Sequence, residues 1–390
     1  MQALEVPNLV KRAGDLVPLL RRNAAWSEQN RRPADETVEA LTAAGILRMR
    51  TPQRYGGYEC DASTLLDVGI ELGRGDGAAA FNTAVWWITS WNMGLFPDEV
   101  QDEVFADPDA RIAGTIVVNG TGIAKDGGIV VNGEWGFNSG ASHSTWRLLS
   151  TIMIGPDGQA EPVMAAVPLS AMRVVDDWYA SGLSGTGSVT TIAEDVFVPD
   201  GHYLRMADIA PENVASKLNA GRPMFRTHLA AVVMASTTGL AIGLARAANE
   251  AFHERIGSRP ITNTFYERQA DAPVTHLQAA EASLKIDEAE FHARKLASMI
   301  DEKALTGEAW SLRERAYARA VGGRVPQLAA EAVDILAGAC GASSLYTGNP
   351  IQRIRRDAHA MTLHQFHLPT SALELYGRVL CGLEPNSFFF

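Results

Sequence analysis

The hydrophobic pattern of this chain changes its period twice, and that change constrains the fold more than any other feature. Residues 1–110 carry apolar side chains at helical spacing, residues 111–202 carry short β-branched runs between Gly, Asn and Asp turns, and residues 203–390 return to helical spacing. Because helices and strands bury their apolar faces differently, such segments pack as separate layers. We therefore predict an α+β fold: an N-terminal helical domain (1–110), a central antiparallel β-domain of six or more strands (111–202) and a C-terminal helical bundle (203–390).

Charge and composition argue against several classes of partner. The 390 residues include 34 basic and 45 acidic side chains, which gives a net charge of −11. Such a chain has no general attraction for nucleic acid or anionic lipid. The N-terminus does not resemble a signal peptide, and no uninterrupted apolar run approaches the ~18 residues of a membrane span. The three cysteines, Cys60, Cys340 and Cys381, form no CxxC pair, so we expect a cytoplasmic protein that binds neither nucleic acid nor membrane.

Common catalytic motifs do not account for this chain. It contains no P-loop, no GxGxxG after a strand and no GxSxG. The glycines of residues 182–187 have the wrong spacing for a dinucleotide loop and are better interpreted as a turn. His359, His364 and His367 are spaced at i, i+5 and i+8, so a helix would not present all three on one face, and we predict no metal site.

Three stretches, spread over nearly the whole chain, resemble the acyl-CoA dehydrogenase superfamily and keep its order. They are residues 52–57 (PQRYGG), 132–140 (NGEWGFNSG) and 349–357 (NPIQRIRRD). The resemblance implies an N-terminal helical domain, a central β-domain and a C-terminal four-helix bundle, which agrees with the layers predicted above. The fold does not by itself determine the reaction.

Within that superfamily the chain is similar to the two-component flavin-dependent monooxygenases. Residues 135–140 (WGFNSG) and 182–188 (GLSGTGS), together with a histidine after Arg356-Asp357, are typical of that branch. At the place where the commonest dehydrogenases carry a glutamate base, this chain has Gln365, which cannot accept a proton near neutral pH. The resemblance therefore favours an oxygenase component over a dehydrogenase.

The resemblance also implies the cofactors, the reaction and the assembly. Reduced FMN or FAD would come from a separate NAD(P)H-dependent reductase, and O2 would be the cosubstrate. A flavin C4a-hydroperoxide would then hydroxylate an aromatic small molecule, with polycyclic compounds favoured. Alternatives left open are N-oxygenation of an amine or amino sugar, acyl-CoA dehydrogenation, and an inactive scaffold without flavin. The resemblance further implies a homotetramer, and the small residues of 239–245 (GLAIGLA) would allow close helix approach.

Residues that would contact the flavin follow from the same resemblance. The Ser139 hydroxyl would reach flavin N5 or the neighbouring carbonyl, Phe137 would lie against the ring, and Asn138 would offer backbone or amide contacts. A plain hairpin turn is the competing interpretation of this loop. Further flavin contacts are expected at Thr115, Arg255 and Thr262, with Arg255 and Thr262 near the phosphate of a neighbouring subunit's flavin.

Substrate contacts are expected on the Trp-rich helix and near the C-terminus. Trp86, Trp91 and Asn92 would line an aromatic pocket, although a stripe of tryptophans is often only core. His364 would be the catalytic base, because histidine titrates near neutral pH and a phenolate attacks oxygen better than a phenol does. The competing interpretation of His364 is a buried histidine satisfied by a backbone carbonyl.

Overall fold

The computed structural model describes residues 8–209 and 213–387, and its first layer is helical. Aspartates cap two of these helices: Asp61 accepts from Thr64 N at 2.7 Å, and Asp76 accepts from Ala78 N at 3.3 Å. The helical layer predicted for the N-terminal part of the chain is confirmed. The layer consists of α1 (Leu9–Asn30), α2 (Asp35–Ala43), α3 (Ala62–Gly75), α4 (Gly77–Met93) and α5 (Asp98–Val104).

The second layer is one sheet. Its strands are β1 (Ile112–Lys125), β2 (Gly128–Asn138), β3 (Trp146–Ile154), β4 (Ala160–Pro168), β5 (Arg173–Val175), β6 (Val189–Pro199) and β7 (Tyr203–Arg205). They lie in the order β5-β6-β2-β1-β3-β4-β7. The predicted number of strands is confirmed, but the pairing differs from the antiparallel prediction at one place, because β1 and β3 run parallel.

The path of the chain explains the parallel pair. β2 folds back along β1, so it ends near the level at which β1 begins. Residues 139–145 then cross to the other edge of β1, where the backbone nitrogens of Thr145 and Trp146 donate to Arg111 O. β3 starts beside the start of β1, with Trp146 opposite Ile112, and therefore runs in the same direction. This crossing segment begins at Ser139, one of the predicted flavin contacts.

The third layer is a set of long helices around α6. Among the described helices, α6 is the one long and apolar enough to cross a membrane, yet 89% of its most apolar window is buried in the fold. Ser311 and Glu314 form a capping box at the start of α8. The helices are α6 (Leu229–Ile256), α7 (Pro273–Thr306), α8 (Leu312–Ala339), α9 (Pro350–Thr362) and α10 (Pro369–Leu380).

The first and third layers meet where α3 and α6 touch through glycines. A Cβ atom added at Gly243 would lie 2.3 Å from Ile70 O and 2.7 Å from the Cα of Gly73. Moving the backbone atoms of two packed helices apart costs free energy, so the packing leaves no room for a side chain at Gly243. The small residues of 239–245 thus bring α6 against α3 of the same chain.

We expect Gly243→Ala to lower the free energy of unfolding by about 1–3 kcal/mol, the usual cost of overpacking a core. The matched control is Gly338→Ala in α8, where an added Cβ meets nothing within 4 Å. That control should gain about 0.5–1 kcal/mol, because alanine favours helix over glycine. The change in the free energy of unfolding of each variant is measured from its urea unfolding midpoint, provided that the slope of free energy against urea is the same. Similar shifts in the two variants would contradict the close contact.

A second feature of this layer is an apolar stripe on α7 that faces solvent. Leu277, Leu284 and Phe291 are spaced seven residues apart and are 72%, 68% and 66% exposed. Val274 and Leu305 extend the stripe at its two ends and are also exposed. Apolar residues at seven-residue spacing form a continuous strip along one side of a helix. An apolar face therefore runs along α7, but it does not pack on the core of its own chain.

Candidate functional site

The end of β2, with the loop that follows it, turns Phe137 outwards. Asn138 is completely buried, and its amide nitrogen donates to Trp135 O at 2.5 Å and to Val189 O at 3.0 Å. These bonds fix the loop against β6. Phe137 stands before this anchor with a φ of +60° and is 71% exposed. A non-glycine residue keeps such a backbone conformation only when its surroundings enforce it, so the outward position of this ring is built into the loop.

An aromatic pair of one exposed and one partly buried ring results from this geometry. The rings of Phe137 and Trp178 lie 5.7 Å apart at an angle of 76°. Trp178 also donates from its indole nitrogen to Leu183 O at 3.3 Å, which holds it beside the loop. Two fixed apolar rings next to a buried polar loop provide a surface for a flat aromatic molecule. Trp178 was missed in the sequence because it follows a charged stretch outside every recognised motif.

Behind Phe137, buried hydroxyl groups form a chain that begins at Ser139. Ser139 Oγ lies 2.7 Å from Ser188 Oγ, and Ser188 Oγ lies 2.6 Å from Thr186 Oγ1. Thr186 in turn donates to Leu183 O at 2.7 Å. The two loops are also joined through their backbones, since Gly140 N donates to Thr186 O at 3.0 Å. Residues 182–188, interpreted above as a turn, thus contribute side chains to the site.

Helix α4 lies directly across this loop. A Cβ atom at Gly140 would be 2.7 Å from the indole ring of Trp86, so the ring packs on the loop backbone. Trp86 also donates to Ser144 Oγ at 3.1 Å and is 1% exposed. Of the predicted substrate residues, Trp86 is the one placed against the Ser139 loop. From this position it supports the loop from behind.

The other two predicted substrate residues lie further along α4. Trp91 donates to Met224 O at 2.9 Å and stacks on Phe225, with ring centres 6.4 Å apart, inside a separate apolar cluster. Asn92 is buried and donates to Ile88 O, while its Oδ1 has no partner among the described residues. A substrate contact is a prediction for both, and the free Oδ1 of Asn92 is the atom able to make one.

His364 follows the end of α9 and is surrounded by aromatic rings. Its ring lies 5.8 Å from that of Phe81 on α4, 6.1 Å from that of Phe366 and 5.3 Å from that of His367. Burial, with the cation of Arg319 nearby, lowers the pKa of His364 to about 4. The imidazole is therefore neutral at pH 7.

The hydrogen bonds of His364 indicate which ring nitrogen carries the proton. The backbone nitrogen of Phe366 donates to Nδ1 at 3.3 Å. A neutral imidazole that accepts at Nδ1 carries its hydrogen on Nε2, so Nε2 is a donor in this arrangement. Arg319 fixes the same segment by donating to Phe366 O at 2.7 Å and to Gln365 O at 3.3 Å. The side chain of Gln365 points into solvent.

The other two histidines near the end of α9 form hydrogen bonds with α8. His367 is completely buried and bonds Gly322 O through Nδ1 at 2.9 Å, while His359 bonds Asp334 at 3.0 Å. No group of three or more His, Cys, Asp or Glu that could hold a metal occurs in residues 8–209 and 213–387.

Helix α9 is attached to the loop that carries the hydroxyl chain. Leu183 N donates to Asp357 Oδ1 at 2.6 Å, and a Cβ atom at Gly182 would lie only 2.4 Å from Arg356 O. Burial, with Asp76 nearby, raises the pKa of Asp357 to about 7. The helix that leads to His364 and the loop that carries Ser188 therefore form one connected unit.

Two arginines at the far end of α6 form a cationic cluster without an anion. Arg255 and Arg259 both donate to Ser343 Oγ, at 3.0 Å and 2.6 Å. Neither has a carboxylate within ion-pair distance in the described part of the chain, and the Nε of Arg255 is buried without a partner. Ser343 is neutral, so the two charges remain available for an anion. Thr262 lies in the exposed loop that follows this end of α6.

The structure thus brings some predicted residues together and separates others. Ser139, Trp86 and His364 lie around α4, while Arg255 and Thr262 lie at the distant end of α6. Thr115 lies on β1, partly buried, and its hydroxyl accepts from Val117 N at 3.3 Å. The roles assigned to these six residues stay predictions.

The fold and the site define a protein of the acyl-CoA dehydrogenase superfamily. Residues 18–105 match the family "Acyl-CoA dehydrogenase, N-terminal domain", and residues 235–369 match "Acyl-CoA dehydrogenase, C-terminal domain". XiaF from Streptomyces sp., solved in complex with FADH2 and glycerol, superposes with a TM-score of 0.92 at 29% identity, and the match covers 98% of this chain and 97% of XiaF.

Comparison with curated relatives shows to which branch of this superfamily the chain belongs. The flavin-dependent monooxygenase oxygenase subunit HsaA of Rhodococcus jostii strain RHA1 is 30% identical over 378 residues, covering 96% of this chain and 98% of the relative. The oxygenase component of the FADH2-dependent resorcinol hydroxylase of Rhizobium sp. strain MTP-10005 is 28% identical, covering 97% of this chain and 95% of that protein. The chain belongs to the family of flavin-dependent monooxygenase oxygenase components.

Proposed function

We propose that this protein hydroxylates a phenolic aromatic compound as the oxygenase component of a two-component system, in the cytoplasm. A separate NAD(P)H-dependent reductase supplies reduced FMN or FAD. The balanced reaction converts the phenol, O2 and reduced flavin to the hydroxylated phenol, water and oxidised flavin. The observation that carries the proposal is that one helix, α4, contacts both the loop with the buried Ser139 hydroxyl and a neutral histidine set among aromatic rings.

The chain's own residues fit a flavin. The exposed ring of Phe137 and the partly buried ring of Trp178 offer a surface for a flat ring system, and Ser139 offers a hydroxyl next to Phe137 in the same segment. Arg255 and Arg259 offer two cations without an anion for a flavin phosphate. Reduced flavin, when bound, supplies the electrons that activate O2 for insertion into the substrate. The protein's part is to hold the ring, exclude water and keep protons in place.

His364 has a specific part in this proposal. Because Nε2 carries the hydrogen, the side chain would donate a hydrogen bond to the phenol oxygen of the substrate. Such a bond is stronger to a phenolate than to a phenol, so it favours the form of the ring that attacks electrophilic oxygen. The sequence predicted a proton-accepting role for His364, and here we propose that it donates instead. The two roles predict different behaviour of a glutamine variant.

The proposal is tested by following labelled oxygen. The protein is mixed anaerobically with chemically reduced FMN or FAD and then with 18O2 and one of four probes: resorcinol, 2-naphthol, indole or a primary amine. We expect one 18O atom in a hydroxylated phenol. The comparison of resorcinol with 2-naphthol shows whether the protein prefers substrates with one ring or with two. Labelling of the amine alone would make the protein an N-oxygenase. No label in any product with either flavin would overturn the proposal.

We further propose that four chains associate through the apolar stripe of α7. A strip of leucines and phenylalanine along a 34-residue helix is not tolerated in water unless a surface of similar shape covers it. A second copy of α7 offers the same seven-residue spacing and is therefore self-complementary. Association of this kind would also bring the arginine cluster of one chain towards its neighbours.

We expect light scattering to give the mass of four chains for the wild type and a smaller mass for Leu277→Asp/Leu284→Asp. Two carboxylates in the strip cannot be buried without partners, so the contact is lost. Leu383→Asp is the matched control, since Leu383 is 52% exposed and lies outside α7. The control should keep the wild-type mass. A wild-type mass equal to one chain would contradict the assembly.

A further inference from the structure

The direction of the hydroxyl chain follows from its last member. A hydroxyl group has one hydrogen, and a carbonyl oxygen can only accept. Thr186 therefore donates its hydrogen to Leu183 O, at 2.7 Å, and must accept a hydrogen bond from Ser188. Because Ser188 donates its own hydrogen to Thr186, it must accept a hydrogen bond from Ser139. All three hydrogens run inwards, and Ser139 presents only lone pairs at the outer end.

The chain is protected from water and fixed by the backbone around it. Ser139, Thr186 and Ser188 are 4%, 1% and 5% exposed, so solvent does not compete for these bonds. The backbone nitrogens of Ser139 and Gly140 are also used inside the protein, by Phe137 O and Thr186 O. The loop therefore has no spare backbone donor at these two positions, and the Ser139 oxygen is an acceptor.

We infer that Ser188 and Thr186 are positioning residues that make Ser139 an obligate hydrogen-bond acceptor and thereby select reduced flavin over oxidised flavin. This inference rests on the proposed function, and of the two flavin atoms expected near Ser139 from the sequence it takes N5 as the one that Ser139 faces. In reduced flavin N5 carries a hydrogen and can donate to Ser139. In oxidised flavin N5 carries a lone pair, so two acceptors would meet in a buried site. An unpaired buried acceptor is costly, and we expect the oxidised form to bind ~10-fold or more weakly for this reason.

Two variants should remove the selection by different routes. In Ser188→Ala the hydrogen of Ser139 loses its acceptor and becomes free to point towards N5. In Thr186→Val the hydrogen of Ser188 has Ser139 as its remaining acceptor, so the chain reverses and the Ser139 hydrogen is directed outwards. Both variants turn Ser139 into a donor that suits oxidised N5. Because the two changes lie at different positions, one of them still tests the inference if the other protein does not fold.

The measurement is the ratio of the dissociation constants of oxidised and dithionite-reduced FMN, each determined by equilibrium dialysis, the second without oxygen. We expect the ratio to fall ~10-fold in both variants, which lowers the potential of the bound two-electron couple by ~30 mV. Ser184→Ala is the matched control. Its hydroxyl lies in the same loop but donates to Glu28 O, outside the chain, so its ratio should equal that of the wild type.

The outcomes separate this inference from the proposed function. A ratio that stays at the wild-type value in both variants, while reduced FMN still binds, would overturn the role of Ser188 and Thr186. Weaker binding of both flavin forms by the same factor would also overturn it, because a general loosening of the loop does not favour oxidised N5. Failure of the wild type to bind reduced FMN or FAD would instead refute the proposed function.

Discussion

Replacing His364 by alanine is expected to slow oxygen transfer to a phenolic substrate ~10²-fold, the usual effect of removing one positioned hydrogen-bond donor or one general base. The ring of His364 lies 5.8 Å from that of Phe81 and 6.1 Å from that of Phe366, and its Nε2 carries the hydrogen that would reach the phenol oxygen in the proposed reaction. Single-turnover mixing of the protein, reduced flavin, O2 and phenol measures the rate. Binding of reduced flavin should stay at the wild-type level, because His364 is not assigned to the flavin.

His364→Gln separates the two chemical roles of this residue. A glutamine amide can donate a hydrogen bond but cannot accept a proton near neutral pH. If Nε2 acts as a donor, this variant should recover a large part of the lost rate, and the wild-type rate should not change with the titration of His364 between pH 6 and 9. The pKa of about 4 leaves the ring neutral throughout that range. A glutamine variant as slow as the alanine variant would favour the base. Wild-type rates in both variants would remove His364 from the mechanism.

The double variant Arg255→Met/Arg259→Met is expected to bind reduced FMN ~10²-fold more weakly. Each guanidinium can give a phosphate a charge-assisted hydrogen bond worth about 1.5–3 kcal/mol, and the two side chains already converge on one point at Ser343. Methionine keeps much of the apolar stem and removes the charge. Anaerobic equilibrium dialysis gives the dissociation constant, and light scattering verifies that the assembly is unchanged.

Riboflavin supplies the decisive control for the arginine cluster. It carries the same ring system as FMN but no phosphate, so the double variant should bind reduced riboflavin as tightly as the wild type does. Arg313→Met is the matched protein control, because Arg313 is an exposed cation at the start of α8. Equal losses of affinity for FMN and riboflavin would mean that the arginines act through the fold and do not contact the phosphate.

Much of the fold could be predicted because its signals are local. Helix periodicity and the capping residues Asp61 and Asp76 mark α3 and α4, and Gly, Asn and Asp turns mark the strands. The parallel pairing of β1 with β3 could not be predicted in the same way. It depends on the side of β1 to which residues 139–145 cross, and no local pattern records that path.

The candidate site likewise combines residues that a local motif predicts with residues that only folding brings together. Ser139 and Phe137 belong to a contiguous motif, and their roles were predicted from it. Ser188 and Trp178 come from other parts of the chain, and only the folded structure shows that they meet the Ser139 loop. The exposure of the α7 stripe was likewise invisible, since an apolar face has the same sequence pattern whether it packs on its own core or on another chain.

The contact between Leu183 and Asp357 has a consequence for recombining this chain with its relatives. The loop after β5 and the last turns of α9 are 174 residues apart in sequence, yet they share one buried hydrogen bond and one close backbone contact. Residues that touch do not tolerate independent replacement as distant ones do. A chimera with a crossover between the sheet and the C-terminal helices would inherit the two sides of this contact from different parents. Libraries that exchange substrate-side helices should therefore transfer residues 182–188 together with α9.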